Sequence, residues 1–124
     1  MSAIDDKYAA VIVANPWIGQ PTSAEEVCPD HVGHFRHYQG GASIYWTPAT
    51  GAHLIYGLIR QKWGSLGWEK GPNGYPVTDE GDAQSGQGRF NNFQNGTIIW
   101  KSGAPEAFSV YGAIFAKWGQ DGWD

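Results

Sequence analysis

Two stretches, "GGASIYWTPATGAH" from Gly40 to His53 and "NGTIIWKSGAPEAF" from Asn95 to Phe108, say nearly the same thing twice. Each begins at a glycine turn, runs through a short apolar segment ending in tryptophan (Trp46, Trp100), and passes into a polar loop bearing proline and glycine. Working outward from this pair, a shift of 55 residues also superimposes Ile4 on Ile59, Lys7 on Lys62, Gly19 on Gly74 and Pro21 on Pro76. Glu25 falls on Glu80, Gly33 on Gly88, Phe35 on Phe90 and Gln39 on Gln94. The pattern starts a third time, with Ile59, Lys62, Trp63, Gly64, Gly67 and Trp68 returning as Ile114, Lys117, Trp118, Gly119, Gly122 and Trp123. Self-similarity at a fixed period of this size marks a repeat architecture. The expected organisation is a single domain over 1–124, made of two repeats (4–58 and 59–113) and a partial third (114–124).

Within a repeat the periodicity changes character. Ile55, Leu58, Ile59, Lys62, Trp63 and Leu66 recur at intervals of three and four, an amphipathic helix stripe. Ile4 to Val13 and Val110 to Trp118 match it, and Gly64 and Gly67 supply a helix stop. A glycine-proline loop follows, "PWIGQP" at 16–21 and "GPNGYP" at 71–76. Then Phe90 to Gln94 and Thr97 to Trp100 flank Asn95-Gly96, a strong two-residue hairpin signal. The predicted fold is therefore α+β: tandem repeats, each a helix, a Gly/Pro loop and a short antiparallel β-hairpin, with a C-terminal helix capping the last hairpin. A two-stranded hairpin is not stable alone, so helices must cover it.

Composition narrows the function. The chain carries a net charge of −4, against either a basic nucleic-acid surface or an electrostatic hold on anionic lipid. The apolar run Ala9 to Ala14 is far too short to span a bilayer and follows Asp5 and Asp6, unlike a secretory leader. A cytoplasmic location is expected, with a secreted or cell-wall location if a leader has been removed. The single cysteine, Cys28, excludes an intrachain disulfide. Seven tryptophans exceed what a core of this size needs, so some are expected at the surface.

The stretches "SIYWTPATGAHLIYG", "IRQKWGSLGWEKGPNGYP" and "FQNGTIIW" resemble the LGFP repeat, a module of about this length. The naming loop reads Asn73-Gly74-Tyr75-Pro76 and Ile18-Gly19-Gln20-Pro21 here, without the leading leucine. The resemblance implies attachment to polysaccharide-rich bacterial envelopes, and related small fungal proteins are similar to lectins, including galactoside binders.

Several constellations invite chemistry. Cys28, His31, His34 and His37 are zinc-ligand types at intervals of three, but Pro29 and Gly33 argue against the helix that would bring them together. On a strand His34 and His37 would face opposite sides. The second repeat has Ala83, Gly86, Arg89 and Asn92 at those positions, so no metal and no cofactor is expected. Asp79-Glu80 and Glu25-Glu26 are paired carboxylates, yet neighbours on a turn seldom attain the ~5–9 Å separation across a scissile glycosidic bond. No nucleophile elbow or phosphate-binding loop occurs, and no enzymatic activity is expected.

The aromatics remain. Trp63 and Trp118 lie on the helix stripe and read as core, while Trp17, Trp68 and Trp123 lie in turns and read as lids. Alternation groups Ile44 with Trp46 and places Tyr45 on the opposite face, which allows Trp46 to be either core or sheet rim. A pyranose offers C–H groups to an aromatic ring and hydroxyls to planar hydrogen-bonding groups. The expected site comprises Tyr45, Trp46 and Trp100 for stacking and Arg36, His37, His53, Asn91, Asn92 and Gln94 for hydrogen bonds, with the first repeat favoured. The expected function is a non-catalytic carbohydrate-binding protein, and the family resemblance alone implies galactosides as the sugars it prefers. The alternatives are a cell-wall polysaccharide attachment module, a small glycan hydrolase using Asp79, Glu80 or the histidines, and a protein-interaction module. Glycans are the expected partners, and the unfinished third repeat leaves room for a homodimer.

Overall fold

The computed structural model describes residues 3–79, 81–82, 88–101, 103 and 105–111. It opens with helix α1 (Ala3–Ile12), followed by strands β1 (Glu26–Val27), β2 (His34–Tyr38), β3 (Ala42–Thr47) and β4 (Gly51–Tyr56). Helix α2 (Gly57–Ser65) leads to β5 (Gly81–Asp82), β6 (Gly88–Phe93), β7 (Gly96–Lys101) and β8 (Phe108–Tyr111). Pro16–Ile18 and Trp68–Lys70 form single 3-10 turns after the two helices. Each repeat thus carries a four-stranded antiparallel sheet, in the orders β1-β2-β3-β4 and β5-β6-β7-β8.

The predicted hairpin is the centre of each sheet, with β6 and β7 closing so that Phe93 faces Gly96. Each sheet adds two strands to the expected hairpin, a short first one (β1, β5) and a last one (β4, β8). Ile55 and Val110 match the helix spacing, but Ile55 pairs with Ser43 in β4 and Val110 pairs with Thr97 in β8. The boundary falls at Gly57, whose φ of +63° turns the chain from strand into helix, a conformation that costs glycine little. The predicted helix beyond Tyr111, and with it the capping role of residues 114–124, lies outside the described residues.

Both faces of the first sheet are covered, which is why β3 is buried along almost its whole length. On one face Ala42, Ile44 and Leu54 meet Ile4 of α1 and Ile18, with Tyr8 stacked on Tyr38 at 4.9 Å. Trp46 packs on this cluster beside Ile44, and Tyr45 points the other way, as the alternation requires. There Tyr45 and Ile55 meet Ile59 and Trp63 of α2, together with Phe93, Ile98 and Ala107 of the second repeat. Helix α2 is therefore a layer shared by the two sheets. Burying its Trp63 and Ile59 removes enough apolar surface to contribute several kcal/mol, on the order of 2–3 per side chain.

Polar contacts reinforce this junction. Asp79 of the second repeat accepts from Lys7 of α1, from His53 of β4 (3.1 Å) and from the Leu54 N–H (3.1 Å). Burial would raise its pKa, but these donors outweigh that cost and pull it down to about 2. Tyr75 donates to Asp30 at 2.7 Å, tying the second Gly/Pro loop to the first repeat. Among the described residues no helix is long and apolar enough to cross a membrane.

Candidate functional site

Two clefts open on either side of the first turn of α2, and Gly57 and Leu58 line both. The larger, of about 600 Å³, runs along the Gly57, Arg60, Gln61 and Gly64 side of the helix, from the Gly40-Gly41 turn to Trp68. These helix positions are spaced by three and four, so they form one continuous strip. The smaller, of about 250 Å³, lies between Tyr56, Leu58 and Ile59 on one side and Arg89 and Trp100 on the other.

In the larger cleft, Trp68 is held by packing rather than by a strand. Its ring sits edge-on to Trp63 at 5.5 Å and lies so close over Gly64 that a Cβ there would come within 2.8 Å of it. The Arg60 guanidinium stands over the Trp68 ring, 5.3 Å from its centroid. Arg60 Nε donates to Ser43 Oγ at 2.8 Å, and Nη2 lies 3.3 Å from His37 Nδ1. Because an arginine only donates, His37 Nδ1 must be the acceptor, which places the imidazole hydrogen on Nε2. Burial first, and then the charge of Arg60, lower the His37 pKa and favour this neutral ring.

In the smaller cleft Arg89 donates to the Tyr56 hydroxyl at 2.7 Å and stands over its ring, 5.8 Å from the centroid. Trp17, 44% exposed, meets Tyr56 edge-on at 4.7 Å and carries the aromatic wall outward. Trp100, opposite Arg89 in the β6–β7 register, forms the far wall.

The nine residues expected from the sequence are dispersed. Trp100 lines the smaller cleft, and His37 reaches the larger one only through its contact with Arg60. Tyr45 is only 3% exposed and is core, stacked on Phe35 and edge-on to Trp63. Trp46 is half-buried against the α1 side of the sheet, with its ring edge-on to His34. Arg36 spans from β2 to the Ser23 carbonyl (2.7 Å) and Asp5 of α1. His53 is held between Asp79 and the Thr50 carbonyl. Asn91 is fully buried and donates to the Thr78 carbonyl, and Asn92 accepts from Thr97. Gln94 Oε1 accepts from the Tyr75 N–H, as Gln39 Oε1 does from the Gln20 N–H, so this glutamine pair clamps the Gly/Pro loop of each repeat.

The residues that sequence reading passed over are Arg60, Gln61 and Tyr56, with Arg89 considered only as a metal-site counterpart. Trp68, expected as a lid, packs edge-on to Trp63 and also ends the larger cleft. The zinc-type series separates: Cys28 is buried beside Tyr75, His34 bonds Glu25, and His37 bonds Ser43. Among the described residues no three His, Cys, Asp or Glu side chains converge. Glu80 lies outside the described residues.

The LGFP repeat model matches residues 18–71 and 74–124, most of the chain, and the protein belongs to the LGFP repeat family. Among curated proteins, none matches this sequence as a relative. The family windows run from one Gly/Pro loop to the next, so each takes in a sheet and the segment after it, with α2 closing the first window.

Proposed function

We propose that this LGFP protein is a non-catalytic carbohydrate-binding protein whose site lies at the junction of its two repeats, in the clefts beside the first turn of α2. The observation that carries this reading is the pairing, in each cleft, of a tryptophan with an arginine: Trp68 with Arg60, and Trp100 with Arg89. A partly exposed indole offers apolar surface for sugar C–H groups, and the guanidinium, Gln61 and the turn glycines offer hydrogen-bonding groups for the hydroxyls. A hydrolytic role finds less support, since Asp79 already serves three donors as a structural link.

Galactosides are the first sugars to try, on family resemblance alone, with linear wall polysaccharide as the alternative ligand. Weak single sites gain from pairing, so a homodimer would raise avidity.

Tryptophan fluorescence titration against galactose, lactose and neutral oligosaccharides tests the proposal, with Trp68→Ala and Trp100→Ala as controls. Saturable quenching at millimolar ligand or below, lost in at least one variant, is expected. Retention of no glycan at millimolar concentration would sink it.

A further inference from the structure

We infer that the cleft ending at Trp68 selects a saccharide bearing a carboxylate, a uronic or sialic acid unit, through Arg60. This deepens the proposed carbohydrate-binding function and rests on it. Arg60 is half-buried and lines the cleft, yet no carboxylate among the described residues pairs with it; the ion pairs involve Lys7, His34, Arg36 and His53 instead. Its neighbours fix the guanidinium without neutralising it. Ser43 takes Nε, His37 takes Nη2, and the Trp68 ring supports its face, while Nη1 donates to no described group. A partly desolvated cation without a counter-ion is costly, and neither Ser43, His37 nor the Trp68 ring supplies a full negative charge. A planar donor group locked in place at the wall of an open cleft is suited to a carboxylate, with little ordering left to do on binding.

The repeat itself isolates the feature. In the second repeat the positions of His37 and Ser43 are held by Asn92 and Thr97, which satisfy each other through a hydrogen bond of 2.8 Å. The residue in step with Arg60 there is Phe115. The fold therefore does not require an arginine at this place, and the first junction has one.

The test uses matched pairs that differ only in charge or in one acidic unit: digalacturonate against its dimethyl ester, and sialyllactose against lactose. Calorimetric titration of the whole chain is expected to give at least one acidic member an affinity about tenfold or more above its neutral counterpart, the scale of one charge-assisted hydrogen-bond pair. That preference should fall to within about twofold in Arg60→Gln and be partly kept in Arg60→Lys, which retains the charge but not the fork. Circular dichroism confirms that the variants fold, and the wild-type comparison stands without them. Equal affinities within both pairs, or a preference that survives Arg60→Gln, would overturn the inference while leaving neutral sugar binding intact. Absence of binding by every saccharide would remove the broader reading as well.

Discussion

The indole N–H of Trp63 donates to the Gly74 carbonyl at 3.0 Å, so the central helix is tied to the Gly/Pro loop of the repeat that follows it. Trp63 is fully buried, and its ring meets Tyr45 of the first sheet and Phe93 of the second. Trp63→Phe keeps a ring but leaves the Gly74 carbonyl without its donor and a void beside it. A loss of about 2–4 kcal/mol is expected, measured as a lower urea midpoint with a single transition.

Acid should loosen the same junction. The Asp79 carboxyl has a folded pKa pulled down to about 2, below its ordinary value of 3.8. Its contribution is therefore complete above pH 4 and is lost as pH falls through the folded value. Stability measured between pH 4 and pH 2 should decline, and Asp79→Asn should flatten that part of the profile. An unchanged slope in the variant would remove Asp79 as the cause.

Gly64→Ala separates binding from folding. Alanine gains about 1 kcal/mol of helix propensity over glycine, but its methyl would stand 2.8 Å from the Trp68 ring, so the ring must move. Near-wild-type stability is expected together with weaker saccharide binding, read by titrating the variant. Retained affinity would show that the position of Trp68 does not matter.

Cys28 should be inert until the chain opens. It is 1% exposed, and burial pushes its thiol up to about 11 despite the neighbouring Tyr75 hydroxyl, which acts the other way. Since the thiolate is the reactive form, labelling near pH 8 should be on the order of a hundredfold slower than for a free cysteine. The rate should recover in urea.

The repeat and the second hairpin were legible because both depend on local signals, glycine spacing and turn chemistry, although the turn falls at Gln94-Asn95, one residue before the expected Asn95-Gly96, with Gly96 paired to Phe93. The strand Gly51–Tyr56 was not. Leu54 and Ile55 are both buried because the sheet is covered on two faces, which erases the polar–apolar alternation. Ile55, Leu58 and Ile59 then mimic helix spacing across a boundary set only by the backbone at Gly57. The clefts were harder still. Arg60 reads as an ordinary solvent-facing helix residue, and its meeting with Ser43 and His37 depends on how α2 crosses the β2–β3 turn. Tyr45 and Asn91 carry binding-type side chains, but nothing local reveals that they are sealed.

A layer owned jointly by two sheets also sets rules for growth. An array built this way can be lengthened by appending units at its end, yet it cannot be divided between units without stripping one sheet of its cover. Fragments cut at Gly57 should therefore fold poorly apart and regain structure when mixed, and any recognition surface formed at the seam would be inherited once per joint rather than once per unit.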